Sequence, residues 1–495
     1  MSPLGDIRAR IEEVRRFLTV SMSIANAHTV EFYTHDVWDR LVDVPPGDVL
    51  SAISSQDGHQ GAPERHANET PTTIFGFCQG TQRLVDVHAM LAAAKALSIP
   101  GLGVSMSREQ LLQSLRLEKP HVSPPHAERD ASESEAGEFM NLKKSHEVRY
   151  MSEVVSCLAQ GCGVKQVIDV GSGKGYLCSH LSLKYGLRVY GIDSSSSNTH
   201  GAHERNRKLK RFSRAYRAHP RKNGDVPVDP FLSMLPVGAI EEEKDETARG
   251  VPLGAEERER RKAENLARKA GRGPGSEQAP GGLYSPLTSY ITAETELKEL
   301  IDELQDAVVV GLHTCGDLAP STLRMFVAKR ELASVCSVGC CYHLLSEERW
   351  GVWLPHECVP PGAVVVLWTK RPDVRLPVGQ GIQMESLFFR AVLHVILRDH
   401  FDSFRSEKRV GNVYSKSKSF LDYVRRALGR LELDHAKLSD GVIQDYHDTY
   451  TPRMAEMRAF NMLKVILAPC IEGVVLLDRL CYLREQMYLK GVRLP

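Results

Sequence analysis

The chain has 495 residues, of which 42% are hydrophobic and 25% charged, the composition of an ordinary soluble globular protein with room for two or three domains. A net charge of +1 excludes a global electrostatic attraction to nucleic acid, so any basic surface must be local. The eleven cysteines show no C-x-x-C pair and no common structural zinc spacing, so no metal site is assigned. Their odd number, in a chain whose N-terminus lacks the apolar core of a secretory signal, points to reduced thiols in an intracellular compartment, cytoplasm or nucleus.

Residues 1–118 read as a helical region. Ile7–Phe17 carries apolar residues at helical spacing and Ala89–Leu97 is rich in Ala and Leu, with a looser stretch, Ser54–Thr73, between them. Residues 119–138 are rich in Pro, Ser, His and Glu and read as a linker. Met140–Leu158 is expected to be a helix leading into the first strand of a domain over 139–345. Its Lys143, Lys144, His146 and Glu147 form either a solvated face or a face that covers a ligand and guides an anionic substrate.

Residues 167–175 carry the strongest signal. A short apolar run contains Asp169 and ends in alternating glycines, Gly171, Gly173 and Gly175, before a helical stretch from Tyr176 to Tyr185. Missing Cβ atoms at a strand-to-helix turn leave room for a ligand, and the first turn of the following helix offers free N–H groups. A second short strand, Arg188–Ile192, ends in Asp193, 18 residues after Gly175, where a carboxylate can accept hydrogen bonds from ribose hydroxyls. The dinucleotide fingerprint is G-x-G-x-x-G, whereas this pattern is D-x-G-x-G-x-G. It resembles motif I of S-adenosylmethionine-dependent methyltransferases with a Rossmann-like sheet. That resemblance implies S-adenosyl-L-methionine as cofactor, held by Asp169, Gly171, Ser172, Gly173, Gly175 and Asp193.

Residues 203–285 interrupt the pattern with dense charge and little apolar content, and read as a disordered or helical insertion. Its basic segment, 205–222, includes Arg205, Arg207, Lys208, Lys210, Arg211 and Arg214. It is either a solvated loop or a contact for RNA phosphates, with only Phe212 and Tyr216 available for base stacking. Strands and helices then alternate again. Ser289–Ile291 is expected as strand three, Glu294–Leu304 as a helix, Ala307–Leu312 as a buried strand, Leu318–Ala328 as a helix and Ala333–Val338 as strand five. In an open, mostly parallel sheet the strand tips Asp169–Gly175, Asp193, His313–Asp317 and Gly339–His343 converge on one cleft.

The cluster His313-Thr-Cys-Gly-Asp317 falls at the tip of strand four, so His313, Cys315 and Asp317 are the candidate catalytic residues. Methyl transfer is a displacement at a sulfonium carbon, in which alignment matters most and a base matters only for a protonated acceptor. His313 or Asp317 is placed to be that base. Cys315, Cys340 or Cys341 is either a thiolate nucleophile, as in cytosine C5 methylation, or a small apolar residue lining the sheet edge. The Asn-Pro-Pro-Tyr segment of many adenine and glutamine N-methyltransferases is absent. Lys144, His146, Cys341 and His343 are weaker substrate-side candidates.

Four segments, 143–148, 167–175, 310–318 and 337–344, resemble the methyltransferase-like protein 25 family, and Val465–Gln486 resembles its late helical region. The resemblance implies an α/β fold: a Rossmann-like, mostly parallel methyltransferase sheet with helical regions on either side in sequence, the last being 346–495. It implies an S-adenosylmethionine-dependent methyltransferase. The His-x-Cys-Gly and Cys-Cys-x-His pair is also similar to tRNA ribose 2′-O-methyltransferases, which favours RNA as acceptor. A protein methyltransferase and a non-catalytic binding or scaffold protein are the alternatives, and no protein partner is named. The family continues past the position of Pro495 into an apolar strand that closes such sheets in antiparallel fashion. Segment 351–380 departs from the family, and its run Ala363–Trp368 is the one able to pair beside strand five instead. Val465–Leu477 is too short, and with Pro469 and Glu472 too interrupted, to span a bilayer. It is expected to be a buried helix, so neither a membrane partner nor a transmembrane segment is assigned.

Overall fold

The computed structural model describes residues 4–55, 73–117, 142–218, 284–346, 364–368, 384–401 and 410–489. It divides into two compact units, one made of Met1–Ser107 and Lys370–Gln486, the other of Arg108–Thr369 and Met487–Pro495. The first unit opens with helices α1 (Leu4–Asn26), α2 (Val37–Leu41) and α3 (Pro46–Ser55), a small antiparallel pair β1 (Thr73–Ile74) and β2 (Phe77–Cys78), and helix α4 (Val87–Ala96). Val14, Phe17, Leu18 and Ile24 of α1 lie on one buried stripe, as the spacing of its apolar residues requires. Asp86 starts α4 by accepting a hydrogen bond from the Ala89 amide at 3.0 Å, a side-chain cap for a donor that has no partner within the helix.

The second unit is the α/β layer. Its elements are α5 (Arg108–Leu117), α6 (Leu142–Cys162), β3 (Gln166–Val170), α7 (Tyr176–Tyr185), β4 (Arg188–Asp193), α8 (Ser196–Ala218), β5 (Ser285–Thr288), α9 (Leu297–Leu300), β6 (Ala307–Cys315), α10 (Leu318–Ala328), β7 (Leu332–Cys340) and β8 (Val364–Trp368). The six strands lie in the order β5-β4-β3-β6-β7-β8, and every neighbouring pair is parallel. Val167, Ile168, Val170 and Ala307–Val310 are fully shielded, because helices cover both faces of a parallel sheet. Helix α6 packs on β6 and β7, α7 on β4, α8 on β4 and β5, and α10 on β6 and β7. The chain winds outward from β3 in both directions, through β4 and β5 on one side and β6 to β8 on the other. Ligands to such sheets sit in the crevice beyond the strand C-termini at this reversal.

Strand three is not Ser289–Ile291 but Ser285–Thr288. Pro286 argues against a strand in sequence, yet β5 is at the sheet edge, where a missing N–H costs no ladder hydrogen bond. The expected helix Glu294–Leu304 is only the single turn α9. The buried Gln166 side chain explains this, donating to the Glu303 carbonyl at 3.0 Å and accepting from the Gln305 amide at 2.9 Å, which holds that stretch as a link into β6. Both central strands run past their expected ends, so His313 lies within β6 rather than after it. Val364–Trp368 fills the place beside β7 in parallel, with Ser334 opposite Val364 and Val338 opposite Trp368. Of the charged insertion, residues up to Ala218 form α8 and Tyr284 leads into β5 at Ser285, while 219–283 lie outside the described residues, as does segment 351–380 apart from β8 and as does the linker over 119–138.

The first unit is completed by α11 (Met384–His400), α12 (Phe420–Arg430), α13 (Asp440–Tyr450) and α14 (Met454–Leu489). Ser419 and Ser439 cap α12 and α13, accepting from the amides of Asp422 and Val442 at 3.2 and 3.3 Å. Its core joins both ends of the chain, with Phe17 and Phe32 buried together with Phe388, Tyr423 and Phe460. The Phe32 and Phe460 rings meet edge to face, as do those of Phe389 and Phe420. One helical stretch among the described residues, Asp440–Gln486, is long and apolar enough by composition to cross a membrane. A helical core asks for the same composition, and Leu463, Leu467, Cys470 and Leu477 are buried in it.

Candidate functional site

The tip of β3 is shaped by its backbone. The amides of Gly171 and Ser172 both donate to the Ile192 carbonyl, at 2.8 and 3.1 Å, so the loop folds over the end of β4. The Gly173 amide then donates to Asp193 Oδ2 at 2.9 Å. Asp193 Oδ1 accepts from the Ser195 amide at 2.9 Å and from Asn198 at 3.1 Å, which fixes the carboxylate beside the loop.

The glycines are not equivalent. Gly173 has φ +55°, and a Cβ built there meets nothing within 4 Å. Gly175 has φ +71° and caps α7, but a Cβ there would lie 2.3 Å from the Tyr284 hydroxyl oxygen. Tyr284 is buried under the loop, and its hydroxyl donates to the Ala202 carbonyl at 2.9 Å. A Cβ at Gly171 would come within 3.3 Å of the His313 carbonyl and 3.1 Å of Leu318, so this glycine lets the loop lie against the tip of β6. Of the three loop glycines, only Gly173 has no described residue within 4 Å of such a Cβ. Gly175 is required by packing from below.

Asp169 sits beneath the loop at 2% exposure. Burial, with a smaller contribution from the negative charge of Asp193, pushes its carboxyl up to about 7, against a hydrogen bond from Cys178 that lowers it. The Cys178 thiol donates to Oδ2 at 3.1 Å and is itself driven well up by burial, while Oδ1 is buried without a hydrogen-bond partner. An orphaned buried acceptor is costly in a folded protein and marks the place where a donor would be welcome.

The tips of β6 and β7 form the other wall. A register shift between Gly311 and Thr314 re-aims the last residues of β6, so that Thr314 faces Gly339 and Cys315 faces Cys340. The Thr314 hydroxyl donates to the Val338 carbonyl at 2.8 Å and lies 3.1 Å from the Ser337 hydroxyl. Cys315, Cys340 and Cys341 come together, with all three sulfurs within 4.8 Å of one another. Asp317 Oδ1 accepts from the Ser346 amide at 3.0 Å and so ties the loop after β6 to the loop after β7. His313 Nε2 lies 3.5 Å from Glu147 Oε2 of α6. On the same helix Lys144 stands over the Tyr176 ring at 4.7 Å, with Arg205 also over that ring at 4.2 Å. His146 packs at a tilt of 47° against the Tyr150 ring, their centroids 4.1 Å apart. His343 is exposed on the turn Tyr342–Leu344.

Sequence reasoning missed Glu147 as the neighbour of His313, Tyr284 as the floor under Gly175, and Cys340 as the partner of Cys315. Each contact joins residues remote in sequence. The Gly-x-Gly spacing marks the loop but carries no trace of which glycine is packed and which is open.

A parallel sheet wound outward from β3, an acid and glycine turn on that strand, and a carboxylate at the tip of the next one together define a Rossmann-like methyltransferase domain. Residues 143–348 match a family model described as "Methyltransferase domain". The chain is 41% identical to a Mus musculus protein described as "Probable methyltransferase-like protein 25", over 98% of this chain and 92% of that one. A Homo sapiens protein of the same description is 40% identical, over 98% and 93% respectively. The chain belongs to the methyltransferase-like protein 25 family. No solved structure matches it.

Proposed function

We propose that the chain is an S-adenosylmethionine-dependent methyltransferase with RNA as its favoured acceptor. The observation that carries the cofactor reading is the pairing of Gly173 and Asp193: an open, side-chain-free position whose amide donates to the carboxylate beside it at 2.9 Å. The residues fit the cofactor. Asp193 would hold the ribose hydroxyls, and Gly171, Ser172 and Gly173 would line its methionine portion. Asp169, with its buried Oδ1 lacking a partner, would answer the positive charge of the ligand through that loop. Gly175 would act by admitting Tyr284 beneath the turn. When bound, the cofactor supplies a methyl group on a sulfonium.

On the acceptor side, His313 is the candidate base and Glu147 its positioning residue, since a nearby carboxylate favours one ring orientation. Asp317 is committed to the Ser346 amide and acts as a brace between loops. Cys315, Cys341 and His343 border the same tips, and Lys144 and His146 lie on α6, from which Glu147 reaches His313. The support for RNA is the basic segment 205–222 of the sequence, whose cations could add phosphate contacts. Arg205 and Arg207 are already engaged, with Tyr176 and Glu204.

The deciding experiment incubates the purified chain and labelled S-adenosylmethionine with RNA and protein fractions from cells lacking it. Label in RNA is expected. Label in protein alone would make it a protein methyltransferase, and label in neither, with cofactor bound, a binding or scaffold module. Gly173→Arg should abolish cofactor binding in calorimetry while the circular dichroism spectrum stays unchanged. Persisting affinity would show that the cofactor does not lie over this loop.

A further inference from the structure

We propose that Cys315, Cys340 and Cys341 together bind a zinc-class metal ion at the tips of β6 and β7. Three thiols within 4.8 Å of one another are already near the geometry such an ion demands. Zinc–sulfur bonds of about 2.3 Å in a tetrahedron set the sulfurs about 3.8 Å apart. Here Cys315 and Cys340 are at 3.0 Å and no pair exceeds 4.8 Å, so small side-chain rotations reach the required spacing. Thiolates select zinc and similar soft ions over magnesium or calcium.

The backbone is shaped for this grouping. Cys315 and Cys340 become register partners only because β6 is irregular between Gly311 and Thr314. Thr314 folds back over Gly311, where a Cβ would lie 2.3 Å from its methyl group. Residues 340 and 341 would point to opposite faces of a continuing strand. Cys341 instead has φ +49°, a left-handed conformation uncommon for a residue with a side chain, and its sulfur joins the other two. Gly316, at φ +53°, passes so close to Leu344 that a Cβ would meet its carbonyl oxygen at 2.7 Å. With the Asp317 brace to Ser346, both loops that carry the thiols are locked to each other.

On binding, the three thiols release their protons to solvent, and the ion with three thiolates carries one net negative charge. The cluster among the described residues supplies three ligands, the number found in zinc sites that keep a fourth position for water or a substrate atom. Placed on the acceptor side, that open position would take a donor atom of the acceptor. This last clause rests on the methyltransferase reading, whereas metal binding does not.

The test uses the full chain, purified without a histidine tag, without chelator and under reductant. Elemental analysis should find about one zinc per chain. Cobalt(II) exchanged into the same protein should show thiolate-to-metal charge-transfer absorption, strengthened by added 2-mercaptoethanol. Cys315→Ser, Cys340→Ser and Cys341→Ser should each lower the zinc content at least fivefold, while Cys162→Ser, a cysteine on α6 outside the cluster, should not. The cobalt spectrum needs no variant, so a variant that misfolds leaves the question decidable. Zinc-free protein without a cobalt–thiolate band would overturn the proposal, as would a Cys315–Cys340 disulfide persisting under reductant. Calorimetry with S-adenosylmethionine on the same sample separates the two readings: metal without cofactor affinity sinks only the enzymatic one.

Discussion

Replacing Asp169 by Asn should flatten the pH dependence of stability. The carboxyl is held at about 7 in the folded chain, against an ordinary 3.8. Below pH 4 both folded and unfolded forms are protonated, and the group costs nothing. Between pH 4 and 7 the unfolded chain releases the proton while the folded chain keeps it, so stability falls as pH rises, and above 7 the loss is complete. A difference of about three pH units corresponds to roughly 4 kcal/mol. Asn has the same shape, can accept from the Cys178 thiol, and carries no charge to desolvate. Calorimetric or urea unfolding at pH 4.5, 6, 7.5 and 9 should therefore show the variant more stable than the parent by only about 1 kcal/mol at pH 4.5, rising to about 4 kcal/mol at the basic end. Parallel curves across this range would refute the argument, since they would mean that Asp169 titrates alike in both states. The same change should weaken cofactor binding, a case of stability given up at a site for its chemistry.

Gly175→Ala should cost about 2–5 kcal/mol, from roughly 1–2 for the left-handed backbone and 1–3 for overpacking against Tyr284. In a Tyr284→Ala background the second contribution should vanish, so an equal cost in both backgrounds in urea unfolding would show that the Tyr284 contact does not matter. Leu467→Ala, at a fully buried position of α14, should destabilise the helical unit by about 2–5 kcal/mol. A loss below 1 kcal/mol by the same measurement would mean that α14 does not lie in that core.

The segment β3–α7–β4 is legible in sequence because it is made locally. The apolar run, the glycines and Asp193 follow one another within a single strand–turn–helix–strand unit, and neighbouring residues set each turn. The elements that escaped were decided elsewhere. Ser285–Thr288 is a strand because β4 offers an edge to pair with, which outweighs Pro286. The stretch after Leu300 is not helix because Gln166, on another strand, holds its backbone. The thiol cluster follows no ligand spacing, since Cys315 and Cys340 are 25 residues apart and meet only through strand register. The run Ala363–Trp368 is readable as a strand by composition, but its parallel direction depends on the path of the chain back to the start of β7. Nothing local marks α1 and α14 as parts of one core.

That shared core has a consequence during synthesis. Met1–Ser107 emerges from the ribosome first, but the helices that cover its apolar stripe are not complete until Gln486 has been added. At ordinary elongation speeds the wait is roughly 20 to 80 seconds. Over that interval the sheet can fold as a unit while Phe32 has yet to meet Phe460 and Arg8 has yet to meet Glu485, and nascent α1 is the segment on which a chaperone would be expected to act.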